Sequence, residues 1–182
     1  MAWNLPNTLT WTRIAAIPLI ILLFYMPYPW ADPAAGLLFA AAGVTDSLDG
    51  YFARRFGQSS RLGAFLDPVA DKLIVIGGLA VLADRGVFSW WPVLLIALRE
   101  LGISLYRSVA GRRGIVLPAQ RLGKYKAFTQ YCSVGFVLLP ITADAVGFQN
   151  FVLGVAVTLT VVSGIQILRR GYIDWQRQDQ VA

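Results

Sequence analysis

Asp46, Asp49, Asp67 and Asp71 crowd into one short stretch of a chain that is otherwise largely apolar. An ionised carboxylate at membrane depth costs several kcal/mol unless it faces a wet cavity, a cation or a partner. Carboxylates gathered this closely also repel one another, so positive charge must sit between them. The chain has no histidine, which leaves divalent metal ions as the obvious candidates. Hard oxygen donors suit Mg²⁺, Mn²⁺ or Ca²⁺ rather than zinc or copper. The chemistry on offer is metal-assisted.

The spacing supports that reading. With helical flanks, Asp46 and Asp49 are i,i+3 neighbours, and Gly50 and Ala53 lie on the same side one turn onward. Gly63, Asp67 and Asp71 are successive i,i+4 positions on one face of the next helix. The polar segment from Arg54 to Arg61 is long enough to turn the chain back, so the two acidic faces can meet. Gly50, Ala53 and Gly63 leave room on those faces for a bulky ligand. A plainer alternative makes the acids helix-end charges capped by Arg54, Arg55 and Arg61. It leaves unexplained why glycines and an alanine fall on the acidic faces.

The pattern D-x2-D-G-x2-A-R-x8-G-x3-D-x3-D resembles the signature of the CDP-alcohol phosphatidyltransferases, with every fixed position filled: Asp46, Asp49, Gly50, Ala53, Arg54, Gly63, Asp67 and Asp71. The resemblance implies transfer of a phosphatidyl group from CDP-diacylglycerol to an alcohol, with release of CMP. It implies two ions, Mg²⁺ or Mn²⁺, held by Asp46, Asp49 and Asp67 with Asp71 at most a shared ligand. Paired ions about 3.5–4 Å apart stabilise charge on both the transferred group and the leaving group. Asp71 is then the general base that takes the acceptor's hydroxyl proton. Gly50, Ala53 and Gly63 would admit the cytidine nucleotide, Arg54 would contact the diphosphate, and Thr45 would touch the base. Direct attack on phosphorus is the preferred route.

These side chains need helices to carry them, and the composition says where those helices live. The 182 residues are 57% hydrophobic and only 14% charged, and the apolar runs are long enough to span lipid. We expect an all-α integral membrane protein, one domain over residues 1–182, with a short interfacial lead-in at Trp3–Asn7 and six spans. The spans run at about 9–25, 34–53, 62–82, 92–106, 127–141 and 148–168, close to the roughly 20 residues a bilayer requires. Arg169 and Arg170 are expected to stop the last one. The first span is expected to serve as an uncleaved signal, and Cys132, the single cysteine, to be packing rather than disulfide. The basic segments Arg54–Arg61, Arg107–Lys126 and Arg169–Arg170 all fall on one side of a six-span arrangement. By the positive-inside rule that side is cytoplasmic, and the acidic motif opens there.

The acceptor is harder to read. N-L-P-N-x-L-T-x2-R (Asn4 to Arg13), the run from Arg54 to Lys72, R-E-L-G-I-S (Arg99 to Ser104) and G-K-Y-K (Gly123 to Lys126) resemble the bacterial, glycerophosphate-using branch of the same family. That implies sn-glycerol 3-phosphate as acceptor, a bacterial cytoplasmic membrane and a homodimer, with no nucleic-acid partner. A phosphate monoester carries about −1.5 to −2 charge at neutral pH, so its pocket should be basic. Arg107, Arg112, Arg113, Arg121, Lys124 and Lys126 are the candidates; the competing explanation is topology or attraction to anionic lipid. Lys72 either balances Asp71 or lines the outer cavity. Arg99 and Glu100 are read first as a tie between neighbouring helices, and Gly154 and Gly164 as sites of close helix packing. Rival readings keep the chemistry with inositol, inositol phosphate, serine or phosphatidylglycerol as acceptor, or make the chain a divalent-cation transporter. A transporter would distribute its acids through the membrane depth, whereas here the cluster is terminal.

Overall fold

The computed structural model describes residues 5–56, 61–115, 121–138, 142 and 145–179, with side chains described outside 5–11, 46–67, 121 and 177–179. Among them the chain forms six α-helices and no strand: α1 (Leu5–Phe24), α2 (Ala31–Phe56), α3 (Arg61–Asp84), α4 (Trp90–Arg112), α5 (Arg121–Leu138) and α6 (Val146–Asp179). Among the described residues each expected apolar run falls on one helix, but several helices outrun it. α1 already begins at Leu5, so Leu5–Asn7 form its first turn instead of a broken lead-in. Pro6 is tolerated there because a first-turn N–H has no helical partner to lose. α4 continues to Arg112 and α5 begins at Arg121, so much of the basic stretch is helical. Arg169 and Arg170 do not stop α6, which runs on to Asp179.

These differences share a cause. Charge marks where lipid ends, whereas a helix ends where its backbone is turned. Gly86 and Gly114 do that turning, with φ of 75° and 77°. After α3, the Gly86 N–H donates to the Ala83 carbonyl (3.0 Å) and the Val87 N–H to that of Leu82 (2.9 Å). After α4, the Gly114 N–H donates to Gly111 (3.1 Å) and the Ile115 N–H to Ala110 (3.0 Å). Both are Schellman caps, which need the left-handed backbone that glycine adopts without strain.

α3 lies centrally, packed on α1, α4 and α5, while α6 covers α4 and α5 and α2 bridges α1 and α5. Ile20, Phe24, Phe39, Leu79, Leu82, Ile96 and Val134 form the buried centre. Every helix also exposes large apolar side chains, among them Leu22, Leu37, Leu73, Leu98, Phe128 and Phe151. Exposed apolar surface on this scale marks a lipid or partner interface. Of the described helices, Val146–Gln176 is the one long and apolar enough to cross a membrane; Thr12–Phe24 and Ala31–Thr45 are shorter apolar stretches. At the end of the bundle away from the acidic motif, Arg85 donates to both oxygens of Asp32 (2.5 and 2.8 Å) and Tyr25 donates to Asp84 (2.9 Å). Those bonds fasten the α1–α2 turn to the α3–α4 turn.

Candidate active site

The acidic motif occupies the second half of α2 and the first half of α3. The backbone supplies the expected registers, with Asp46 and Asp49 a turn apart in α2 and Gly63, Asp67 and Asp71 at successive turns of α3. Pro68, inside α3, removes one rung of the hydrogen-bond ladder between the last two aspartates. The side chains of Asp46, Asp49, Gly50, Ala53, Arg54, Gly63, Asp67 and Arg121 lie outside the described residues. No group of three potential ligands occurs among the described residues, where Asp71 alone represents the quartet. The donors nonetheless fit divalent ions in kind: oxygen ligands at one-turn spacing on two consecutive helices, beside a cavity that Asp71 lines.

That cavity, of about 970 Å³, is bounded by α2, α3, α4 and α5. Its apolar wall is built from Phe39, Val44, Val75, Ile76, Phe128 and Phe136, and its polar wall from Asp71, Lys72, Glu100, Lys124 and Lys126. Three lysines against two carboxylates leave the described lining net positive. Close approach of α2 to α5 shapes the floor. A Cβ on Gly36 would lie 2.9 Å from the Cβ of Leu138, and one on Gly43 would lie 2.7 Å from the Tyr131 ring.

Asp71 is held from behind. Arg13 reaches from α1, and its Nη1 donates to Asp71 Oδ1 at 3.1 Å. The Arg13 side chain is 1% exposed and that of Asp71 44% exposed, so the guanidinium is buried while the carboxylate faces the cavity. Such a charge-assisted bond fixes the carboxylate's orientation. Nothing in the periodicity of α1 announces this partner; the signal was a lone arginine in an apolar run.

A second polar group joins α4, α5 and α6. Glu100 Oε1 accepts from Arg99 Nη1 at 2.9 Å and is in direct contact with Lys126 Nζ. Arg99 Nη2 donates onward to Ser163 Oγ at 2.8 Å. Gly164 makes room for this, since a Cβ there would sit 3.2 Å from Arg99 Nε. The helix-tie reading of Arg99 and Glu100 therefore matches the geometry, with the addition that Glu100 and Lys126 also line the cavity. Gly154 has open space where a Cβ would go, so among the described residues of this chain no helix packs closely there. Beside this group, Gln130 on α5 donates to Thr160 on α6 at 2.9 Å.

The remaining sequence candidates divide. Lys124 and Lys126 reach the cavity. Arg107, Arg112 and Arg113 are exposed and stand outside its lining, and the Arg113 guanidinium stacks over the Trp175 ring at 4.0 Å. The Thr45 hydroxyl bonds its own helix, at the Ala41 and Ala42 carbonyls, both 2.9 Å away.

An all-helical bundle whose cavity sets an apolar wall against a carboxylate and lysines suits an amphipathic, charged substrate, and comparison of sequences identifies the family. The family model of the CDP-alcohol phosphatidyltransferases matches residues 3–162, and this chain belongs to that family. Among its relatives, a probable phosphatidylglycerophosphate synthase of Mycobacterium tuberculosis is 37% identical over 94% of this chain and 83% of its own length. The CDP-diacylglycerol–glycerol-3-phosphate 3-phosphatidyltransferase of Bacillus subtilis is 35% identical over 93% of this chain and 96% of its own. The Escherichia coli K12 protein of the same name is 38% identical over 96% and 98%.

Proposed function

We propose that this chain transfers the phosphatidyl group of CDP-diacylglycerol to sn-glycerol 3-phosphate, giving phosphatidylglycerophosphate and CMP. The observation that carries the reading is the likeness, over nearly the whole chain, to relatives that bear this activity in their names. The cavity supports it, because one space offers an apolar wall for acyl chains, a carboxylate and several ammonium groups. Asp71 takes the proton of the acceptor hydroxyl as its oxygen attacks the lipid-linked phosphorus. The bond from that phosphorus to the bridging oxygen breaks, and CMP leaves. Arg13 keeps the Asp71 carboxylate aimed into the cavity. Lys124 and Lys126, with Arg121 beside them in the chain, attract the acceptor's phosphate.

Asp46, Asp49 and Asp67 would hold two ions, Mg²⁺ or Mn²⁺, with Asp71 at most a shared or secondary ligand. When bound, the ions neutralise charge on the diphosphate and on the departing nucleotide. Gly50, Ala53 and Gly63 give the nucleotide room, Arg54 contacts its diphosphate, and Thr45 lies near its base. Residues 1–182 form one domain whose six helices all cross a bacterial cytoplasmic membrane. The acidic motif faces the cytoplasm, and two copies associate.

The test supplies purified protein with CDP-diacylglycerol, Mg²⁺ or Mn²⁺ and one acceptor at a time, and measures CMP. Glycerol 3-phosphate should support release, while a chelator, Asp67→Asn or Asp71→Asn should each abolish it. CMP release with serine or inositol but not with glycerol 3-phosphate would overturn the acceptor and leave the chemistry standing.

A further inference from the structure

Lys72 follows Asp71 on α3, yet the two do not pair. The Lys72 ammonium turns to α4, where Nζ donates to Ser104 Oγ at 2.6 Å. Ser104 Oγ in turn donates to the Glu100 carbonyl at 2.7 Å. A hydroxyl has one proton, so with that proton on the carbonyl, Ser104 can only accept from Lys72. This fixes the direction of the bond and the place of the ammonium. Ser104 is the hydrogen-bond partner of Lys72 among the described residues, and an ammonium has three donors. Lys72 is half-buried, lines the cavity, and forms no ion pair with either described carboxylate of its wall.

Both described carboxylates of the lining are engaged by other cations, Asp71 by Arg13 and Glu100 by Lys126 and Arg99. Lys126 reaches the same cavity from α5, and like charges sharing one space repel. Glu100 does not cancel that repulsion, because it already serves both Lys126 and Arg99. Two ammonium groups on facing helices, in a partly desolvated space, are stabilised by an anion placed between them. A phosphate monoester, with about −1.5 to −2 charge, suits that place. A phosphate held there lies next to Asp71 in the chain, on the same cavity wall, which suits an acceptor whose hydroxyl is three carbons from its phosphate.

We infer that Lys72, positioned by the Ser104 hydroxyl, is a second lysine of the acceptor's phosphate site, opposite Lys126, and helps select phosphorylated alcohols over neutral ones. The inference rests on the function proposed above. The same chemistry could serve the diphosphate of the liponucleotide, and varying the two substrates separately tells these apart.

The experiment measures CMP release by the full chain in detergent, varying each substrate in turn, for wild type, Lys72→Met, Lys72→Arg and Ser104→Ala. Equilibrium binding of labelled glycerol 3-phosphate is measured beside it. Losing a charge-assisted bond to phosphate should raise the KM for glycerol 3-phosphate about tenfold to a hundredfold in Lys72→Met. The KM for CDP-diacylglycerol should stay within about twofold, since the lysine makes no bond to that substrate. Lys72→Arg should recover most of the loss, and Ser104→Ala should raise the same KM severalfold. If Lys72→Met does not fold, Ser104→Ala decides alone: an unmoved acceptor KM overturns the assignment. A rise confined to the liponucleotide KM, or a lower kcat with both KM values unmoved, also overturns it. Wild-type protein that neither binds nor turns over a phosphate monoester overturns this assignment and the proposed acceptor together. Wild-type turnover of glycerol 3-phosphate with an unmoved KM in Lys72→Met overturns this assignment alone.

Discussion

At the scale of residues, the contact that matters most is the bond from Arg13 to Asp71, whose two ends differ in burial. The arginine has left water and depends on carboxylate oxygen; the aspartate is partly wet and depends less on the arginine. Substitution should expose that asymmetry. Asp71→Asn leaves the buried Arg13 guanidinium facing a neutral amide, so its melting temperature should fall clearly. Its CMP release should drop by about 10²-fold or more, the usual contribution of a general base. Arg13→Met frees a carboxylate that is already partly wet, so kcat should fall while the KM for glycerol 3-phosphate holds, and the melting temperature should drop less than in Asp71→Asn. Thermal melts beside CMP assays check both; equal loss of stability in the two variants would contradict the asymmetry. Asp71 was legible in the sequence because its partners in the motif are local. The Arg13 contact was not, since the pair lies 58 positions apart and periodicity describes one helix at a time, never which helices meet.

At the scale of elements, the group around Glu100 shows why buried charge can tie helices without adding much net stability. The ends of the Lys126–Glu100 pair are 9% and 8% exposed, so desolvation offsets much of the attraction. Removing one partner is a different matter, because what remains is buried and unpaired. Glu100→Gln would leave Arg99 and Lys126 facing a neutral amide, at a cost of about 3–5 kcal/mol. Lys126→Met leaves Arg99 paired with Glu100 and should cost clearly less, with its main effect on the KM for the acceptor. Denaturant titration in detergent, read against that KM, separates the two. The sequence placed Arg99 and Glu100 mid-helix and suggested a tie; it could not say that the tie also builds a cavity wall. Helix extents were legible only in part, for a similar reason. α6 runs past Arg169 and Arg170 because nothing there turns the backbone, while α4 stops where Gly114 does.

At the scale of the whole molecule, the two ends of the bundle are chemically different. One carries the Asp32–Arg85 and Tyr25–Asp84 bonds, which satisfy their charges locally. The other carries Asp71, the cavity lysines and the exposed Arg107 and Arg112. The sequence conveyed this polarity well, since it depends only on where basic residues fall along the chain. Which helix faces turn inward was less legible, because Glu100 and Lys72 lower the mean hydropathy of their helices although both side chains turn inward. Orientation then yields a direct test in cells whose Cys132 has been replaced by serine. Ser89, in the turn before α4, and Ser108, near the other end of that helix, are both exposed. If the cavity opens to the cytoplasm, Ser89→Cys should react with a membrane-impermeant maleimide in intact spheroplasts. Ser108→Cys should react only after permeabilisation. The reverse pattern would put the lysines on the outer face, away from a soluble cytoplasmic acceptor. Equal labelling of both sites in intact spheroplasts would mean that α4 does not cross the bilayer at all.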